Sequence, residues 1–344
     1  MNYISRLLPK YFLNHNQKNM YVPSLLFGKV EDDGIELDFS VLDRPFVNYS
    51  AGTSDLEVQY TKHLRDDPVA IELFAFICFF SSVQKIQINN FFFSYSETLK
   101  SFPEKKQRGL IDKKLRKLYN LRLIRRTFIP EVSSRERKIA SYSMTVDGTK
   151  MAEHMRKPLG IQGKIYNPDQ MYLNHQNVSR VIKRQWAIVD VFLAASTLES
   201  FVGFRNHLSN VGTIKQPMAI KESQCVLTLE LVNGLECNLI SYVALPGDSP
   251  YYNKVKVEQF KLLMQRYPDG RFPELKEALN FLCFIVFTKE HVDELVNQLE
   301  LKLEATPPLL FIVLEDFQNS SIKEAFYGFE NGAIVPFAPN LASK

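Results

Sequence analysis

The most constraining stretch of this chain is residues 101–150, where a basic amphipathic helix runs into two strand-like segments and the start of another helix. Between Lys105 and Lys138 stand thirteen Lys or Arg against three acids (Asp112, Glu131, Glu136), a net of +10. The whole chain carries +4, so the remainder is acidic by 6. Charge confined in this way describes a local phosphate-binding surface rather than a generally adhesive protein.

Ser101 and Glu104 have the spacing of a capping box with Pro103 in the first turn, which predicts a helix to about Asn120. At 100° per residue, Leu110, Ile111, Leu115, Leu118 and Leu121 share an arc of about 140°. Lys105, Lys106, Lys113, Arg116 and Lys117 take the opposite side, with Arg108 and Lys114 at its margins. One face is therefore expected to be buried and the other basic. After it, LRLIRRTFI reads as a strand, SSRERK as a charged loop and IASYSM as the returning strand, with Thr145 capping a helix over VDGTKMAEHM. Arg125 and Arg126 are adjacent strand positions and point to opposite faces, so one of the two is expected to join the basic surface.

Upstream, Asp67-Pro68 supplies an N-cap and an N1 proline for a buried helix over VAIELFAFICFFSS. A linker and second helix follow in KIQINNFFFSYSETL. Helix–helix–basic helix–strand–loop–strand–helix is the winged helix-turn-helix order, and LxxLxxLxLIRR…YSMTVDGTKMAEH is similar to the end of many winged-helix transcription regulators. A helix fits the major groove, where base pairs present distinct donor and acceptor patterns, while flanking cations hold phosphates. The candidate DNA-binding residues are Lys105, Lys106, Arg108, Lys113, Arg116 and Lys117 from the helix, Arg126 from the strand, and Arg135, Arg137 and Lys138 from the loop. The competing account is a solvated basic face used for protein contacts.

The chain divides into an arm (1–65), the winged-helix segment (66–157) and a larger module (165–344). The arm holds a hairpin signal at Asp33-Gly34. Its RPFVNYSAGTSDLE resembles ring-forming DNA-translocase ATPases, but Gly52-Thr53-Ser54 is followed by Asp55, without the second Gly and the Lys that a phosphate loop needs. In the larger module a long helix is expected to be buried around Trp186, Ile188, Val191 and Phe192. Extended KQPMAIKE, a hairpin CVLTLELV-Asn233-Gly234-LECNLISYVAL, a helix over 253–267, a strand in LNFLCFIVFT, a helix in KEHVDELVNQLEL and a strand in PLLFIVLED follow, with a last hairpin at Asn331-Gly332.

That order resembles the PD-(D/E)xK nuclease core. Joined to a winged helix, it is similar to the replication-relaxation family of plasmid and mobile-element proteins, over roughly residues 66–315; YSMTVDGTKMAEH, the helix after His175 and YYNKVKVEQFKLLMQRY carry the resemblance. Such a nuclease sets acids and a Lys on adjacent strands to hold Mg²⁺ and activate water. Here the strands offer Glu230 and Glu236-Cys237-Asn238, with no Lys in third place and SYVALPG where an acidic strand end would stand; Asp248 and Lys254 fall in a loop and a helix. No catalytic residue, metal or cofactor is assigned, and the module is expected to serve self-association or partner contact. His175 and His207 lack partners at metal spacing, Asp190 and Glu199 read as two exposed carboxylates nine apart on one helix, and Cys78, Cys225, Cys237 and Cys283 read as buried thiols without CxxC spacing.

The expected fold is α+β, a winged helix-turn-helix domain followed by an α/β nuclease-like mixed-sheet domain. The expected function is sequence-specific binding of double-stranded DNA, as a transcription or replication/transfer accessory factor of a plasmid or mobile element. A homodimer is expected because winged helices often bind palindromic sites, with mobile-element replication or transfer proteins as possible further partners. No apolar run reaches the roughly 18 residues of a membrane span, and the N-terminus lacks a signal-peptide core, so a cytoplasmic protein without membrane insertion is expected. Two alternatives belong to other classes: a Mg-dependent DNA nuclease, and a protein-binding scaffold associated with a DNA-translocating ATPase. RNA binding lacks the interleaved stacking aromatics it would need on a sheet.

Overall fold

Asp67 starts the first long helix among the described residues, as its sequence requires: its carboxylate accepts the Ala70 N–H at 3.2 Å, with Pro68 in the first turn. The computed structural model describes residues 36–37, 58, 62–129, 139–156, 178–213, 215–275, 278–299, 308–319 and 322–342. The hairpin signal at Asp33-Gly34, the Gly52-Thr53-Ser54-Asp55 segment, the loop with Arg135, Arg137 and Lys138, and His175 lie outside the described residues.

Helix α1 (Pro68–Phe80) is buried on nearly every side, and Glu72 is its single buried charged residue. A three-residue strand β2 (Ser82–Gln84) follows, one that its short polar sequence did not announce. Then come α2 (Lys85–Tyr95), α3 (Glu97–Lys100) and α4 (Glu104–Asn120). The expected Ser101–Glu104 capping box is not formed. Ser101 closes α3 instead, its N–H on the Glu97 carbonyl and its hydroxyl on that of Thr98, and Pro103 occupies the N-cap of α4. The chain leaves α4 through a Schellman turn: Arg122 takes φ 59°, its N–H bonds Tyr119 O, and the Leu123 N–H reaches Leu118 O at 3.0 Å.

Strands β3 (Ile124–Ile129) and β4 (Ile139–Met144) pair antiparallel. With β2 and the two-residue strand β1 (Glu36–Leu37) they form a sheet of order β1-β3-β4-β2. Helix α5 (Val146–His154) is capped by Thr145, whose oxygen accepts the Gly148 N–H at 2.9 Å. A Cβ at Gly148 would stand 1.9 Å from Leu123 O, so this close approach of α5 to the turn after α4 requires glycine.

One sheet face carries Arg125, Thr127, Ser141, Ser143 and Ser82, all buried. Helix α6 (Val178–Ala195) reaches it through Trp186, whose Nε1 donates to Ser141 Oγ at 3.0 Å, while Gln87 Nε2 donates to the Trp186 carbonyl at 2.9 Å. The buried indole N–H, the Ser141 hydroxyl and the Gln87 amide thus answer one another.

The chain divides into two compact units within α6, the first ending at Val189 and the second running from Asp190 to Lys344. The second is built on a seven-stranded mixed sheet, so the protein is α+β. Its elements are β5 (Phe201–Asn210), β6 (Ala219–Glu230), β7 (Glu236–Val243), α7 (Pro250–Arg266), β8 (Leu279–Val286), α8 (Lys289–Leu299), β9 (Leu309–Val313), α9 (Asp316–Asn319), β10 (Phe326–Glu330) and β11 (Ala333–Pro336). Strands follow one another across the sheet in chain order; β7, β8 and β9 run parallel, joined over α7 and α8, and the other neighbours are antiparallel. Asn331 and Gly332 both take positive φ, 51° and 81°, which closes the last hairpin tightly.

Two expectations are corrected here. The strand before the central hairpin is Phe201–Asn210, whose Gly, Asn, Arg and His hide the alternation, and it pairs with β6 through two register shifts. KQPMAIKE and CVLTLELV are not two strands: Ala219–Glu230 is continuous. In addition, Asp190 is buried rather than exposed, and Glu199 lies beyond the end of α6. Trp186, Ile188, Val191 and Phe192 are buried, as their spacing predicted.

Val226, Ile240, Tyr242, Leu282, Phe284 and Phe311 line one sheet face and pack with Val257, Phe260 and Leu263 of α7 and Val292 and Leu295 of α8. Across three strands the register aligns Cys225, Ser241 and Cys283, fully buried. All four cysteines are free, buried thiols; burial pushes Cys78, Cys225 and Cys237 up to about 12, and Cys283 also upward. Such thiols are poor nucleophiles.

Candidate nucleic-acid interface

Helix α4 separates its two faces by packing, not by propensity. Ile111, Leu115 and Leu118 are buried against the helices of the first unit, and Leu110 and Leu121 are half-buried at the edges. Lys105, Lys106, Arg108, Lys113 and Arg116 are exposed. Five of the six helix cations singled out by sequence therefore form one outward surface.

Lys117, the sixth, is placed differently. Its ammonium donates to Asp67 Oδ2 at 2.6 Å, and Lys114 donates to the same oxygen at 2.7 Å. The carboxylate is nine-tenths buried. Burial alone would raise its pKa, but the two ammoniums and the Ala70 N–H outweigh that and hold it below the usual carboxylate range. Asp67 therefore caps α1 and ties α4 to it at once. A second ion pair, Lys85 with Asp112, ties α2 to the other side of α4.

Beside the Asp67 cluster a pocket of about 280 Å³ opens among Lys62, His63, Asp66 and Phe102. Burial, with Lys62 and Lys117 nearby, lowers the pKa of His63. Three lysines and two aspartates line the pocket, so its charge is mixed, in contrast to the outward face of α4.

On β3 the two arginines diverge as alternation requires. Arg125 is buried, 4% exposed, on the face that α6 reaches. Arg126 is half-buried on the other, its guanidinium 5.3 Å from the centre of the Tyr119 ring of α4. Arg126 thus stands beside the basic helix.

The nuclease-like positions of the second unit hold structure instead. Glu230 and Glu236 face each other at the mouth of the β6–β7 hairpin. Asn238, where a metal-dependent nuclease would need Lys, accepts from Thr228 at 2.7 Å and donates to Asn280 at 3.1 Å; Asn280 in turn donates to Gly270 O at 2.7 Å. Asp248 accepts the Leu245 N–H and so closes a turn. Lys254 lies half-buried on α7. His207 is buried in β5, its Nδ1 3.8 Å from Glu222. Among the described residues no three His, Cys, Asp or Glu come together as a metal site, and no helix is long and apolar enough to cross a membrane.

Sequence reasoning missed the joint role of Asp67 and Lys114. The cap was legible, but nothing local to Asp67 marks two lysines some fifty residues away. Comparison of the chain with family models, curated proteins and solved structures returns no match.

Proposed function

We propose that the first unit is a winged-helix module that binds duplex DNA in a sequence-specific manner through α4. The observation that carries the reading is the outward face of α4, where Lys105, Lys106, Arg108, Lys113 and Arg116 are exposed together while the opposite face is locked into the core. An α-helix about 10–12 Å across fits the major groove, and cations along its flanks neutralise phosphates on both sides. Helices α1, α2 and α4 followed by the β3–β4 pair and α5 support the winged-helix reading, with Arg126 and the loop residues Arg135, Arg137 and Lys138 as further phosphate contacts. In the same reading the activity belongs to transcription, replication or transfer of a plasmid or mobile element, with a homodimer as the binding species. In this reading the second unit is a scaffold, because Asn238 and Asn280 are spent on holding the sheet together where a nuclease needs charged groups.

The test is duplex-DNA affinity measured by anisotropy across a salt series. Lys113→Glu with Arg116→Glu is expected to weaken binding and to reduce the log–log salt slope by about 2, one for each lost phosphate contact. Absence of duplex binding at low salt, or an unchanged slope in the double variant, would sink the reading.

A further inference from the structure

Gly109 stands at the centre of the outward face of α4. On a helix of 100° per residue it lies within about 40° of Lys105, Lys113 and Arg116 and close to 180° from Leu118 at the core. Glycine is the least favourable residue after proline in a helix interior, so a glycine in the middle of a seventeen-residue helix needs a reason.

The usual reasons are missing at this position. A Cβ built at Gly109 would meet no atom within 4 Å, whereas one at Gly148 would collide with Leu123 O at 1.9 Å and one at Gly212 with Gln216 O at 2.2 Å. Nor does Gly109 take the left-handed backbone that Gly234 and Gly270 adopt. Nothing within the described protein gains from the absent side chain. What the absence creates is a notch at backbone level, with exposed cations one turn above and one turn below it.

We infer that Gly109 is the point of closest approach between α4 and duplex DNA, the missing side chain letting the helix backbone seat against the groove while Lys105, Lys113 and Arg116 engage the phosphates around it. The occupant follows from charge: exposed lysines and an arginine flank the notch and the neighbouring carboxylate, Asp112, is paired with Lys85, so it suits a polyanion, and an apolar partner helix would leave those cations desolvated. This deepens the DNA reading of the same helix and rests on it.

The experiment compares the full-length parent with Gly109→Ala and Gly109→Leu, reading thermal midpoint and duplex affinity at fixed salt. Both variants replace glycine with better helix formers, so the midpoint is expected to rise by roughly 2 °C or more. Affinity is expected to fall in order of side-chain size, by roughly tenfold for alanine and further for leucine, the scale of losing contacts at one base pair. Increased stability with reduced binding is a combination that a merely structural glycine cannot produce. Variants that gain stability and bind as tightly as the parent overturn the inference while leaving the DNA reading intact. A parent that binds no duplex overturns the DNA reading, and this one with it.

Discussion

Lys117 Nζ lies 2.6 Å from Asp67 Oδ2 across fifty residues of sequence, and that contact decides which cations of α4 are free to face outward. The other oxygen of the same carboxylate caps α1. Because Lys114 shares Oδ2, the two lysines at the margin of the basic face act as fasteners, while Lys105, Lys106, Lys113 and Arg116 remain exposed. One helix therefore carries cations of two kinds, and substitutions can tell them apart.

Neutralising the fasteners should cost stability. Lys114→Gln with Lys117→Gln is expected to lower unfolding free energy by about 1 kcal/mol, the upper range for partly exposed pairs. Lys105→Gln with Lys113→Gln should leave the urea midpoint within experimental error and reduce DNA affinity. If the two double variants behave alike in urea, the division of roles is wrong.

Asp67 should confer a defined pH dependence. Its pKa is held below the ordinary carboxylate value, so its contribution is present above about pH 4 and is lost as pH falls through the depressed folded-state value. Asp67→Asn preserves a capping oxygen and removes the charge; it should lose that acid-sensitive component while costing about 1 kcal/mol at pH 7. Asp67→Ala should cost roughly a further 1 kcal/mol for the cap. Urea titrations between neutrality and acid should show the parent approaching Asp67→Asn as the carboxylate protonates, with Asp67→Ala remaining below both.

Glu72 should act in the opposite sense. Burial raises its pKa, the Ser96 and Thr98 hydroxyls that donate to it only partly offset this, and Glu97 adds to the rise. Its contribution is then fullest below the ordinary glutamate pKa and is lost as pH climbs through the raised value. Relative to Glu72→Gln, the parent should therefore lose ground on going from about pH 4 to neutrality. A difference in urea midpoint that does not vary with pH would refute this.

Trp186 is the only tryptophan of the chain and is 3% exposed, so its emission reports on the first unit without labelling. Ser141→Ala removes the oxygen that accepts from its indole N–H and should cost about 1–3 kcal/mol for a buried donor left unpaired. Loss of the blue-shifted Trp emission should coincide with the shifted urea midpoint. Ser141→Thr, which retains the oxygen, should recover part of the loss.

Asn280 should prove structural rather than catalytic. It links β7 and β8 to the Gly270 carbonyl, and Asn280→Ala leaves the buried Asn238 amide without its acceptor, while that carbonyl keeps the backbone N–H of residue 280. A loss of about 2 kcal/mol or more in the second unit is expected, read by urea unfolding of the full chain followed by circular dichroism.

What the sequence determined by itself is what a few neighbouring residues can encode. Asp67-Pro68 and Thr145 set helix starts, the period of Ile111, Leu115 and Leu118 set the buried face of α4, and Asn331-Gly332 set a hairpin, because caps, helical period and positive-φ turns act within one or two turns of chain. The exposure of Lys113 and Arg116 was legible on the same grounds. The rest required tertiary structure. Ser101 had the right spacing for a cap but was taken by the end of α3, and β2 is too short and polar to announce itself without β4 beside it. The strand over Phe201–Asn210 is recognisable only through its pairing with β6. Asp190 looked like a surface carboxylate and is buried, Lys117 looked like a ligand contact and is tied to Asp67, and Gly109 became informative only once the space around it proved empty. In each case the deciding partner, or its absence, lies beyond the reach of local sequence, where burial and pairing between distant segments outweigh propensity.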